Sequence, residues 1–180
     1  MLVPVRVESL GVDRGTNSPV VVLRERDGNR QLPIWIGPAE ASAIAVQIAG
    51  MSFGRPLTHD LFIAMLDATG ATLKRIVIPR VKNNTYFAEM EIDRGGEVVR
   101  LDARPSDSIA IALRAEAEIL AEEELLDRVI LEIEEGEDAT SAPGPSAADV
   151  DTTLEKGVSP NDLESYLRSL NPEDFGRFKP

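Results

Sequence analysis

The 180-residue chain contains no cysteine, which excludes disulfides, thiolate catalysis and any zinc site built on cysteine. It has one histidine, so no multi-histidine metal centre can be assembled within a single chain. Aromatic residues make up 4% of the sequence, few for the stacking that sequence-tolerant single-strand binding uses. No apolar run approaches the roughly eighteen residues of a membrane span. The start, Met1 to Val7, lacks the basic opening and long apolar stretch of a signal peptide, so a cytoplasmic protein without membrane contact is expected. Positive charge is scarce as well: 19 Lys and Arg face 31 Asp and Glu, a net of -12. The molecule as a whole is a poor match for a polyanion, and any nucleic-acid contact must be local.

What is present is enough for a core, since 43% of the residues are hydrophobic. The acid is unevenly spread. Met1 to Arg128 holds 15 Lys and Arg against 19 Asp and Glu, while Val129 to Pro180 holds 4 against 12. The body is therefore near balance, and a modest basic groove on it is compatible with the composition. Ala139 to Asp151 is rich in Ala, Ser, Pro, Gly and Asp and buries too little apolar surface to offset its chain entropy. The sequence divides into a domain over 1–128, an acidic linker over 129–157 and a short amphipathic C-terminal helix and tail over 158–180. The stripe of Leu163, Tyr166, Leu167 and Leu170 makes that last helix a candidate for docking onto the body or a protein partner.

Along the body, Leu2 to Leu10 alternates apolar and polar residues as a half-buried strand does. Pro19 to Glu25 and Gln31 to Ile36 read as a hairpin around Asp27-Gly28-Asn29. Gly37-Pro38 opens a helix from Ala39 to Ala49, with Gly50 as its C-terminal cap, and its apolar composition predicts burial on most sides. Thr58 is the expected N-cap of a second helix, with Leu61, Phe62, Met65, Leu66 and Ala68 as its apolar face. Three strands follow, Thr72 to Val81, Tyr86 to Ile92 and Val98 to Leu101, and Pro105-Ser106-Asp107 opens a third helix. Glu118 to Arg128 is ambiguous between strand and helix. The order βββ-αα-βββ-α is an α+β fold with mixed or antiparallel sheets and packed helices. It suggests an internal duplication in which Arg55-Pro56 and Arg104-Pro105 are matching turns.

Those two turns are the most specific feature. Each joins an arginine to an acidic helix start, and a helix start with free N–H groups favours anions. Arg55 and Arg104 are candidates to grip a phosphate, with Ser106 beside them. Glu40, His59, Asp60 and Asp107 are the candidate catalytic residues, carboxylates and an imidazole suited to proton transfer. Glu40, Asp60 and Asp107 are also the candidate ligands for Mg²⁺ or Mn²⁺, which prefer oxygen donors. Each has a structural alternative. The arginines can pair with these same carboxylates to hold helix starts, Thr58 and Ser106 can be caps, and Trp35 and Phe53 can be core or dimer contacts.

Four motifs in order, Leu32-Pro33-Ile34-Trp35-Ile36-Gly37 with Glu40-Ala41, Arg55 to Leu61, Tyr86-Phe87-Ala88 and Asp102 to Asp107, resemble the bifunctional nuclease family over about Leu2 to Arg128. The resemblance implies an α+β fold, a homodimer and hydrolysis of DNA and RNA. It carries over no catalytic residues. The expected function is therefore a metal-assisted nuclease. The alternative from another class is a non-catalytic dimeric module that binds an anion or a partner and regulates it.

Overall fold

β-Branched runs and tight positive-φ turns set the frame. The computed structural model describes residues 1–13, 16–127 and 150–151. Strands β1 (Leu2–Asp13), β2 (Pro19–Glu25) and β3 (Gln31–Trp35) form an antiparallel meander. Helices α1 (Pro38–Ile48) and α2 (Thr58–Ala68) follow. A second meander is built from β4 (Ala71–Lys82), β5 (Thr85–Arg94) and β6 (Glu97–Ala103), and α3 (Pro105–Ala115) comes after it. The β4–β5 connection is Asn83-Asn84, both at positive φ, which asparagine tolerates and a two-residue hairpin requires.

The ambiguous stretch after α3 resolves into both alternatives. Glu118–Glu122 is a strand, β7, and residues 123–127 are helical. β7 lies between the meanders, antiparallel to β1 and parallel to β4, so the sheet runs β3-β2-β1-β7-β4-β5-β6. Val150–Asp151, inside the stretch expected to be a linker, forms a short strand β8 beside β1. The rest of the expected linker and the C-terminal helix lie outside the described residues.

The fold is α+β, as expected, and each meander is followed by a helix with proline at its first position. The equivalence within the repeat differs from the sequence expectation. The partner of Arg104-Pro105 is Gly37-Pro38, whereas Arg55-Pro56 lies outside α2 and feeds a helix that belongs to neither repeat.

One core unites the halves. Ile44 of α1, Leu66 of α2 and Ile109, Ala110 and Ala112 of α3 pack with Val5, Leu23, Ile34, Ile76, Ile78 and Ile119 of the sheet. α3 is central, touching α1, α2, β4 and β5. Full burial of each of its Ile or Leu neighbours is worth roughly 1.5–3 kcal/mol by area transfer. α1 is less enclosed than its composition predicts: Ala41, Ile44 and Val46 are buried and Ile48 is exposed. On α2 the inward face is Phe62, Ile63 and Leu66, while Leu61 and Met65, expected inside, are exposed because α3 covers only one side of this helix. Trp35 is half-buried against Val20 and Val22, and Phe53 is exposed. Among the described residues no helix is long and apolar enough to cross a membrane.

Candidate nucleic-acid site

Helices α1, α2 and α3 each carry a carboxylate at the third helical position: Glu40, Asp60 and Asp107. An acid there meets the positive end of the helix dipole, which is reason enough for its presence. The fold adds a second reason. Both ends of α3 supply an arginine, and these two arginines take all three acids.

Arg104 is the N-cap residue of α3 and stands in extended conformation before Pro105. Its Nη1 donates to Glu40 Oε1 at 2.9 Å, while Nε and Nη2 donate to the two oxygens of Asp107 at 2.7 and 3.0 Å. The side chain is 66% exposed. Asp107, more than Glu40, holds the guanidinium above its ordinary pKa and so firmly charged. His59 joins the group with Nε2 at 3.5 Å from Asp107 Oδ1. Glu40 folds back over the start of its own helix: a Cβ on Gly37 would lie 2.2 Å from Glu40 Oε2. Glycine at that position leaves room for the carboxylate to face Arg104.

Arg114, in the last turn of α3, is the opposite case, with its side chain 5% exposed. Its Nε donates to Asp60 Oδ1 at 2.6 Å, Nη2 to the Ala43 carbonyl of α1 at 3.2 Å and Nη1 to the Ala110 carbonyl at 2.9 Å. One side chain thereby ties the three helices together. Asp60 also accepts the Leu57 N–H at 2.8 Å. The Arg114 bond, helped by that amide, lowers the Asp60 pKa against the opposing effect of burial.

A cleft of about 270 Å³ opens where the repeats meet, lined by residues 34–37, Glu40, residues 84–86 and residues 104–106. Of the sequence candidates, Glu40, Arg104 and Ser106 line it, and Asp107 and His59 connect to it through Arg104. Asp60 is turned to Arg114 and Arg55 is exposed; neither lines the cleft, and Arg55 has no ion-pair partner among the described residues. The expected caps are corrected. Leu57 and Arg104 occupy the N-cap positions, Thr58 is the first residue of α2, and Ser106 is buried inside the first turn of α3. Asp60 does the work expected of Thr58, because its carboxylate reaches back to the Leu57 amide.

Among the described residues no three of His, Asp and Glu group so as to hold a metal ion. Glu40 and Asp107 face a guanidinium rather than each other, so the donor set does not fit a divalent cation in this arrangement. Two residues around these groups were not marked by the sequence. Arg114 belongs to no motif and carries no spacing signal. Tyr86, part of a recognisable motif, gave no sign that it would reach a cleft beside Arg104.

A profile described as the bifunctional nuclease domain matches residues 21–134. "Uncharacterized protein Rv1829" of Mycobacterium tuberculosis is 40% identical over 173 residues, covering 95% of this chain and 96% of the mycobacterial protein. That match runs well past residue 134, so part of the acidic tail is shared. "Bifunctional nuclease 1" of Arabidopsis thaliana is 28% identical over 130 residues, covering 69% of this chain and 40% of the plant protein. "Bifunctional nuclease 2" of Oryza sativa subsp. japonica is 30% identical over 105 residues, covering 56% and 32%.

Proposed function

The chain belongs to the bifunctional nuclease domain family, and on that premise we propose that it hydrolyses phosphodiester bonds of DNA or RNA at the cleft between α1 and α3. One observation supports this above the rest: a solvent-exposed arginine at the cleft pairs with Glu40 and Asp107, and Asp107 is met in turn by the only histidine, so that the starts of three helices converge there. Arg104 has five N–H donors and spends three on carboxylates, leaving two for a phosphate oxygen. The same carboxylates hold its plane, so the phosphate meets a preoriented fork. Glu40, on the cleft wall, takes a proton from the attacking water as its oxygen bonds to phosphorus. His59, seated against Asp107, returns a proton to the leaving oxygen as the old P–O bond breaks. Asp60 and Arg55 have no part in this chemistry; Asp60 holds α2 in place.

The test is cleavage of single-stranded RNA and DNA by the purified chain with EDTA, Mg²⁺ or Mn²⁺. Glu40→Gln and His59→Ala should each lower the rate by roughly 10²–10⁴ with the fold intact. A rate that both variants leave unchanged would mean a contaminating nuclease. A strict requirement for Mn²⁺ or Mg²⁺ would replace the proton-transfer scheme with one in which the carboxylates leave Arg104.

A second reading, a dimeric regulatory module that binds an anion or a partner without cleaving it, has its own support. Phe53, Leu57, Leu61 and Met65 are exposed around α2, and a homodimer would cover them. Pure protein that is dimeric in sedimentation and cuts neither polymer would favour it.

A further inference from the structure

We infer that the cleft is a subsite for a single unstacked nucleotide, and this rests on the nuclease reading just given. The cleft holds about 270 Å³, close to the ~300 Å³ lower end of small-molecule sites. It takes one compact ligand and no duplex. Its walls differ in kind. Ile34, Ile36, Pro105 and Tyr86 give apolar and aromatic surface, Asn84, Thr85 and Ser106 give hydrogen-bonding groups, and Arg104 gives the cation. A flat apolar body with polar edges and one anionic end matches that set, which describes a nucleoside phosphate. A base enters such a site only after leaving its stack, as in recognition of unpaired strands. The net charge of -12 fits the same picture, because the molecule has too little excess cation to track a long backbone. Grip on the strand is concentrated at one phosphate and one base.

Glu40 sharpens the proposal. It lines the same cleft and its charge opposes an incoming phosphate, yet it also orients Arg104. Replacing it by glutamine keeps a hydrogen-bond acceptor for Arg104 and removes the repulsion. Binding should therefore improve in a variant that no longer cleaves.

The only tryptophan, Trp35, borders the cleft and serves as a built-in reporter. The full chain is titrated with AMP, UMP, adenosine and inorganic phosphate, followed by Trp35 fluorescence and by calorimetry. Saturable AMP and UMP binding is expected, with adenosine and phosphate each at least about tenfold weaker. Tyr86→Leu should weaken AMP roughly fivefold to a hundredfold while leaving phosphate unchanged, the range that base stacking on a ring commands. Arg104→Met should weaken AMP about tenfold or more, and Glu40→Gln should tighten it severalfold. A single-stranded oligonucleotide should displace AMP and a duplex of the same sequence should not.

No AMP binding by calorimetry at millimolar concentration overturns the subsite, as does binding that ignores both Arg104→Met and Tyr86→Leu or equal displacement by duplex. The two readings fail separately. AMP binding with these signatures but no cleavage removes the nuclease reading and leaves the subsite. Cleavage lost in Glu40→Gln without any AMP binding does the reverse.

Discussion

The two arginines of α3 face the same kind of partner under opposite conditions. Arg114 is enclosed, touches all three helices and spends its donors on one carboxylate and two backbone carbonyls. Arg104 stands mostly in water at the mouth of a cleft, bridging two carboxylates with donors to spare. Buried, an arginine is committed, because its own charge is enclosed and its donors are held by fixed partners. Exposed, it is available, because water screens its ion pairs and a ligand can compete for it. The same residue type serves construction at one end of a helix and function at the other, and burial decides which.

The strongest way to break this contrast is Arg114→Met. It leaves the partly exposed Asp60 carboxylate and the Ala43 and Ala110 carbonyls without this donor and should cost about 1–3 kcal/mol. Urea denaturation with an unchanged m-value would measure it; a loss below about 1 kcal/mol would mean the helices are not joined there.

Next in size is a pH effect at the same node. The folded Asp60 pKa lies below its ordinary 3.8, so its contribution is fully present above about pH 4 and is lost as pH falls through the folded value. Asp60→Asn should therefore flatten the acid side of the stability profile. Melting curves from pH 5 down to 2 that superimpose for both proteins would refute the coupling.

The smallest stability effect is expected at the other end of the helix. Arg104→Met should change stability by no more than about 1 kcal/mol, because its pairs are exposed, while cleavage and nucleotide binding fall. If Arg104→Met instead unfolds the chain as Arg114→Met does, both arginines are structural and the contrast disappears.

Much of this was legible residue by residue. Val20-Val21-Val22, the Asp27-Gly28-Asn29 and Asn83-Asn84 turns, and proline at the first position of α1 and α3 have local causes, and the elements appear where those causes place them. Gly50 closes α1 at φ +63, as a C-terminal cap requires. The misses are non-local. The local pattern of Glu118–Glu122 leaves strand and helix both open; it becomes a strand because β1 and β4 each offer it an edge. Leu61 and Met65 have the right spacing for a core face but lie on the side of α2 that no element covers. Two Arg-Pro dipeptides look alike in sequence, yet Pro105 enters a helix and Pro56 does not.

The candidate site divides the same way. Glu40, His59, Asp107, Arg104 and Ser106 were marked by their chemistry and by two recurring motifs, and the fold brings them to one place. Arg55 was marked by the same signal and is left outside it. Which carboxylate met which arginine depended on how three helices pack, a matter of distances between residues 54 or 64 positions apart.

The sequence by itself determined the α+β class, the order of the first six strands and three helices, the absence of thiol and multi-histidine chemistry within one chain, and an acid at the start of each of those helices. These follow from composition, periodicity and turn preferences, which act over a few residues. Tertiary structure alone decided that α3 is central, that Asp60 belongs to a buried clamp, and that Glu40 and Asp107 share an exposed arginine. Charge pairing depends on separation and on access to water, and both are set only when distant segments pack.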